Sequence, residues 1–336
     1  CARRVRASLR NPGAADGDQW IVVFDGQSPA PPPWLAESGA TLLATGRTLG
    51  PAAARNLGAE AAHGDVLLFV DADVEVATDV LRRVRRAFAA DPDLCAVFGA
   101  YDDAPAAPGL VSRFRNLLHH HTHVRHAGPA DTFWAGCGAM RTSRFLDLGG
   151  FDPAYRVPSI EDIELGSRAR AAGGKILLDP AIACTHHKRW TLRSMIHTDV
   201  FRRAVPWTRH MLASGTVPKR LNLDTRSRLS GGCAVVAVLA TAVAPVLPWA
   251  LVPAAACLIG LLVLNRGFYW LCRSRGGAGF AAGCFLLHWL YFLYATATFA
   301  AVTFLHHAGV GRPSRSCGSA AAGDSPPTVP GPRHPA

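Results

Sequence analysis

The sequence predicts an α/β domain built on an open, mainly parallel sheet, followed by membrane-spanning helices. Three observations carry that expectation. Two short apolar runs, residues 21–24 and 66–70, end in Asp25 and Asp71, as buried strands that deliver polar residues into a loop do. Helix-like stretches alternate with such runs up to about residue 228, the order that builds a sheet from strand–helix–strand units. Beyond them, the stretch from Ser230 to Asn265 carries no charged residue, a length and composition foreign to ordinary soluble helices.

In chain order, Ile21-Val22-Val23-Phe24 is closed by Asp25-Gly26, a strand feeding a turn. Residues 52–62 are Ala-rich, a helical composition. Val66–Val70 is the second strand. Thr78 or Asp79 is the expected cap of a helix. That helix sets Val80, Leu81, Val84, Ala87 and Phe88 on one face and Arg82, Arg83, Arg85 and Arg86 on the other. Ala96-Val97-Phe98 reads as a third strand, and Lys175–Leu178 as a further one ended by a turn at Pro180. Open α/β sheets bind ligands at the carboxyl ends of their strands, where Asp25 and the Asp71/Asp73 pair fall.

As one helix, Ser230–Asn265 would be about 54 Å long, well beyond a hydrocarbon core of about 30 Å. Pro245, Pro248 and Pro253 sit near its middle, so two short spans, 231–249 and 250–265, fit better. Residues 266–275 mix arginines with Phe268, Tyr269 and Trp270, an interfacial composition. A third span covers 280–305. The expected division is a catalytic domain over 1–228, a membrane region over 229–306 and a disordered, Gly-, Pro- and Ser-rich tail over 307–336. Arginines precede the first span and follow the second. By the positive-inside rule the catalytic domain is cytoplasmic and the protein a multi-pass protein of the cell membrane.

The net charge is +11, from 35 Lys and Arg against 24 Asp and Glu. Arg202, Arg203, Arg209, Lys219, Arg220, Arg226 and Arg228 cluster just before the apolar stretch, with Asp224 as the lone acid among them. This placement points to an anionic membrane surface as partner rather than nucleic acid, for which no motif is present. The nine cysteines are scattered without a CxxC pair, as expected for small apolar residues in a reducing compartment. The chain opens on Cys1 with no apolar leader, an opening that reads as a truncated or misassigned start.

Several groups are candidates for chemistry. Asp71-Ala72-Asp73 supplies two hard carboxylates at a strand end, suited to Mg²⁺ or Mn²⁺ bridging to a diphosphate; a solvated loop is the alternative. Asp25 is placed to accept hydrogen bonds from a base or ribose, or is a turn residue before Gly26. Arg55 reads either as a phosphate partner or as an exposed helix charge. Glu161-Asp162 opens a helical run, where a carboxylate serves as general base or simply favours the first turn. His186-His187-Lys188-Arg189-Trp190 joins a metal-ligand type, two cations and an aromatic platform, or is a basic juxtamembrane segment. His119, His120, His121, His123 and His126 form a patch in which residues 119, 123 and 126 share one helical face. No Cys or acid completes a zinc site there, and a polar segment near the membrane is the default.

Together these stretches resemble glycosyltransferase family 2, the inverting transferases of the GT-A fold, in its membrane-bound members. The resemblance runs from about Asp18 to Trp190 and rests on VVFDGQSP, GPAAARNLGAEAAHGDVLLFVDADVEV, FWAGCGAMRTSRFLDLGGFD, SIEDIELGSRARAAGG and HHKRW. It implies that Asp25 contacts the nucleotide donor and that Asp71 and Asp73 hold metal and diphosphate; Arg55 as a donor contact and His186 as a further metal candidate rest on their residue types alone. It implies Asp162 as catalytic base, with Glu161 beside it. Phe133 to Cys137, including Trp134 and Gly136, looks like the segment that lines the acceptor site in membrane polysaccharide synthases. His186-x-x-Arg189-Trp190 is similar to the Gln/Arg-x-x-Arg-Trp motif of those synthases and of ceramide glucosyltransferases. The family's opening strand has no counterpart, one Asp stands in the first acidic motif where many members have two, and His186 replaces Gln or Arg. The expected activity is a hexosyl transfer from a nucleotide-sugar to a hydroxyl, on a lipid or lipid-linked saccharide. A polysaccharide synthase and a non-catalytic nucleotide-sugar-binding membrane protein are the alternatives.

Overall fold

The structure is a computed structural model that describes residues 17–28, 30–217 and 220–310. The expectations for the chain's opening residues, for Lys219 and for the tail beyond residue 310 lie outside the described residues.

The chain begins with a two-stranded parallel sheet. β1 (Ile21–Phe24) pairs with β2 (Thr41–Ala44), and a one-turn helix α1 (Pro33–Ala36) lies between them. Helix α2 (Pro51–Glu60) crosses over this ribbon. A second sheet contains β3 (Val66–Val70), β4 (Val74–Val76), β5 (Leu94–Tyr101), β6 (Gly128–Pro129), β7 (Cys137–Arg141) and β8 (Lys175–His186). Its order is β3-β7-β5-β8-β4, with β6 also on β8. The intervening helices are α3 (Val80–Ala90), α4 (Leu110–Arg125), α5 (Thr142–Asp147) and α6 (Glu161–Ala171).

The larger sheet is mixed, which corrects the mainly parallel expectation. Only β5–β8 is a parallel pair; β3–β7, β5–β7, β4–β8 and β6–β8 are antiparallel. The cause is β7, Cys-Gly-Ala-Met-Arg, which lacks β-branched residues and carries little strand signal, yet inserts between β3 and β5. Because both neighbours oppose it, β3, β5 and β8 still run in one direction. Asp71, Tyr101 and His186 therefore gather at one edge. The expected turn at Pro180 is also absent: β8 runs on to His186. Its register with β5 shifts between Phe98↔Leu178 and Ala100↔Ala183, a bulge that accommodates a proline with no N–H for the ladder. Asp79 sits at the start of α3 without capping it, and accepts instead from Arg83 Nε at 2.7 Å.

Five phenylalanines, Phe69, Phe98, Phe133, Phe145 and Phe151, knit the sheet to its helices through edge-on and tilted ring contacts. Burial of each side chain contributes about 1.5–3 kcal/mol before conformational entropy is counted. Downstream come α7 (Leu192–His197), a π-helical turn over Thr198–Ala204 and α8 (Val205–Ser214). Then follow α9 (Thr225–Val243), α10 (Leu251–Leu264) and α11 (Arg266–His307), the last bent where Gly277 takes φ 78°. α9 and α11 are long and apolar enough to cross a membrane; α10 is shorter. The residues expected as an interfacial segment and as a third span are both part of α11. One buried cluster joins Phe114 and Leu117 of α4, Met195 of α7, and Phe268, Cys272 and Cys284 of α11. Helix α11 is thus packed directly on the α/β domain.

Candidate active site

A chamber of about 560 Å³ opens at the carboxyl ends of β3, β5 and β8. Its acidic wall is organised by Arg55 on α2. Arg55 Nη2 donates to Asp71 Oδ1 at 2.7 Å, and Nη1 donates to Glu161 Oε1 at 2.9 Å. Burial works against the Arg55 charge, but Asp71 and Glu161 outweigh it and hold the guanidinium protonated well beyond its usual range. One side chain so ties the Asp71 loop to the first turn of α6. Next along α2, Asn56 exchanges two hydrogen bonds with the Phe151 backbone, at 2.7 and 2.9 Å. That anchors the segment leading into α6.

Glu161 and Asp162 play different parts. The Glu161 carboxylate is buried, taken by Arg55 and by the Ser159 N–H at 2.8 Å. Asp162 faces the chamber. It accepts from the Ala135 N–H at 3.1 Å and the Ile163 N–H at 2.8 Å. Burial and then repulsion from Glu161 push its carboxyl up to about 7, while Arg55 and the two N–H donors pull the other way. A carboxylate that titrates near neutrality is suited to take a proton from a hydroxyl. α6 can lie this close because of Gly166: a Cβ there would stand 2.3 Å from the Phe133 backbone nitrogen.

The facing wall is aromatic. Tyr101 stacks flat on His186, with 4.6 Å between ring centroids, and on His119 at 4.0 Å. Trp134 meets Tyr101 and His119 at 5.1 and 4.7 Å. Burial, then the neighbouring His123, holds His119 well below the usual histidine range; burial pushes His123 down to about 4 despite the Gly99 carbonyl on its Nδ1. Both imidazoles are therefore neutral at pH 7, and the patch packs as an aromatic surface. His126 instead lies beside Asp224, 3.4 Å away.

Asp71 and Asp73 are 37% and 40% exposed at their side chains, enough to meet a ligand. His186 Nε2 lies 3.4 Å from Asp73 Oδ2. A hydrogen bond from His186 lowers the Asp73 carboxyl, with Lys188 adding to the effect against burial. Among the described residues no group of three or more His, Cys, Asp or Glu side chains is gathered for a metal. What is present, the two partly exposed carboxylates of Asp71 and Asp73, offers hard oxygen donors of the kind a divalent ion would take alongside a bound diphosphate.

Four of the residues expected at the donor, metal and acceptor positions do not line the chamber. The Asp25 carboxylate is filled by the Leu49 and Gly50 N–H groups at 2.7 and 3.0 Å, holding the loop that leads into α2. Cys137 is fully buried. Gly136 supports Trp134, whose ring would stand 2.4 Å from a Cβ at that position. Arg189 is exposed, while Lys188 and Trp190 on either side of it reach the chamber and pair with each other at 4.2 Å. Sequence reasoning did not single out Tyr101, Arg115, Trp207 and Asn222, and read Arg202 and Arg203 as part of a membrane collar; all six line the chamber. The legible signal for Tyr101 was its place as the polar-tipped last residue of a strand that is buried at every other position.

The family model for Glycosyl transferase family 2 matches residues 2–148. Among curated proteins none matches the chain. Among solved structures, the chain is similar to a mannosyltransferase from Pyrobaculum calidifontis in complex with GDP-Man and Mn²⁺. The TM-score is 0.51 and the identity 17%, over 91% of this chain and 84% of that one. A second match is GalNAc-T7 with UDP, GalNAc and Mn²⁺, at a TM-score of 0.37 and 19% identity over 54% of this chain and 41% of that one. The likeness to the mannosyltransferase is one of fold, the GT-A arrangement of a mixed α/β sheet.

Proposed function

We propose that the chain is a glycosyltransferase of family 2, a reading supported by the family model over residues 2–148, and that it inverts the sugar it transfers and delivers it to a hydroxyl of a membrane lipid or lipid-linked saccharide. The observation that carries this reading is the junction made by Arg55. It ties the carboxylate expected to hold the donor, Asp71, to the helix turn that presents the base, Asp162.

In this reading Asp162 accepts the acceptor's proton as its oxygen attacks the anomeric carbon, and the nucleoside diphosphate leaves from the opposite side. Glu161 stays out of the chemistry; its repulsion keeps Asp162 basic enough for the task. Arg55 fixes the orientation of both carboxylate groups. Trp134 and the Tyr101–His186 stack wall off water, and Lys188 balances negative charge near the diphosphate. Asp71 and Asp73, with His186 beside them, would hold Mg²⁺ or Mn²⁺, which supplies charge neutralisation to the departing diphosphate. Residues up to 228 form the catalytic domain and 229–306 the membrane region, with α9 and α11 as spans and the active site facing the cytoplasm. The basic collar before α9 and the packing of α11 on α4 support that placement.

The test is transfer of label from a panel of nucleotide-sugars, with Mg²⁺ or Mn²⁺, into lipid extracts of membranes carrying the full chain. Label in the lipid fraction, lost by about 100-fold or more in Asp162→Asn, is the expected result. Donor hydrolysis without lipid product overturns the lipid acceptor, and undiminished transfer by Asp162→Asn overturns the base.

A further inference from the structure

A second cavity, of about 480 Å³, opens beside the catalytic chamber between α8, Val217, residues 222–228 and the middle of α11. Its walls are mainly apolar, with Met211 and Val217 facing Phe292, Ala295 and Phe299. Its size falls in the range of roughly 300–1,000 Å³ that encloses small organic ligands. The two cavities share four lining residues, Arg115, Arg203, Trp207 and Asn222, so they meet at a common junction.

That junction is built for an anion. Buried Arg115 donates from Nη2 to Asp199 Oδ1 at 2.8 Å, and Arg203 Nη1 stands 3.8 Å from the same oxygen. The other carboxylate oxygen of Asp199 accepts from the Tyr294 hydroxyl at 2.6 Å. Two guanidinium groups thus share one carboxylate, and one positive charge is left over. Trp207 adds a buried indole N–H with no partner. Buried donors are almost always satisfied, so this one calls for an acceptor atom that the protein does not supply. The cavity also lies where the chain's basic segment meets the apolar helices: α9 begins at Thr225, and the α11 residues in its wall belong to a helix able to cross a membrane.

We propose that the side cavity seats the hydrocarbon of an acidic amphiphile, that an anionic group of the same molecule occupies the Arg203–Trp207 junction, and that its hydroxyl-bearing end projects into the chamber toward Asp162. This rests on the lipid-acceptor reading and narrows it to lipids carrying a phosphate or carboxylate between hydrocarbon and accepting hydroxyl. The cation at the junction selects the charge, and the apolar wall selects the tail. A neutral lipid leaves the surplus cation unanswered, and a zwitterionic lipid brings a second cation close to the two arginines.

The test reads binding directly, without sugar transfer. The full chain is placed in phosphatidylcholine vesicles that contain one diazirine-tailed probe: phosphatidic acid, a fatty acid or phosphatidylcholine. Cross-links are mapped by mass spectrometry. The expected result is labelling of α8 and the middle of α11 by the two acidic probes, about tenfold above the phosphatidylcholine probe. Stronger labelling by phosphatidic acid assigns phosphate, and stronger labelling by the fatty acid assigns carboxylate; both sustain the proposal. Ala295→Trp, which fills the cavity, removes the labelling. Trp207→Phe keeps the ring without the N–H and reduces the preference for acidic probes, which covers the case in which the larger side chain disturbs folding. Equal labelling by all three probes, or labelling indifferent to both variants, overturns the proposal. Lipid transfer together with that negative result would leave the glycosyltransferase reading intact, while acidic cross-links without transfer would leave this site intact.

Discussion

The two ends of the chamber follow opposite electrostatic plans. At the sheet end four carboxylates, Asp71, Asp73, Glu161 and Asp162, gather around a single bridging guanidinium, Arg55. At the helix end two guanidinium groups, Arg115 and Arg203, gather around a single carboxylate, Asp199. Each end leaves an excess of one sign facing the cavity. An excess of acid suits a metal–diphosphate and a base whose charged form is strained; an excess of base suits an anionic acceptor. On the proposed function, the contrast teaches how one chamber would keep donor and acceptor apart without a partition.

That contrast can be broken from either end. The largest effect is expected at the base. Asp162→Asn should lower kcat by about 10²–10⁴-fold, with donor affinity measured by calorimetry little changed. Asp73→Asn should raise the Mn²⁺ concentration needed for half-maximal transfer by about tenfold or more, read from a metal titration of initial rates. Gly136→Ala forces the Trp134 ring away from its place on Tyr101. It should cost roughly 1–3 kcal/mol of stability by thermal melting, and reduce transfer with it. The smallest effect is expected at the helix end: Arg203→Ala should raise the acceptor KM by about tenfold while leaving the donor KM close to wild type, measured in two-substrate kinetics.

The two ends were unequally legible in the sequence. Asp71 and Asp162 stand at points where local pattern changes, the first after an apolar strand and the second at the opening of a helix, so residue order alone marked them. β3, α3 and α6 could be read in the same way. The helix end could not. Arg202 and Arg203 sit in a basic run that reads as a membrane collar, and only the π-helical turn over Thr198–Ala204 turns them toward the chamber. Arg115 is one cation in a histidine-rich helix until Asp199, 84 residues away, meets it. β7 was illegible because its small residues carry no strand signature, and with it went the mixed direction of the sheet. The far half of β8 was hidden by Pro180, which is a turn signal in isolation and a bulge in context. The sequence leaves Arg55 as a phosphate partner or an exposed helix charge; that it spans Asp71 and Glu161 depends on contacts that no local pattern encodes.

The most direct test of the account is the pH dependence of kcat/KM for lipid transfer in the wild type and in Arg55→Met, measured side by side. Asp162, held at about 7 chiefly by burial and opposed by the Arg55 charge, must lose its proton to act. Wild-type activity should therefore rise with pH, level off above neutrality and fall away below it. Removing the guanidinium lifts an influence that lowers the Asp162 value, so the rise should move to higher pH in the variant. An unmoved limb, or activity that falls as pH rises through 7 in the wild type, would contradict the coupling of donor site and base on which the account rests.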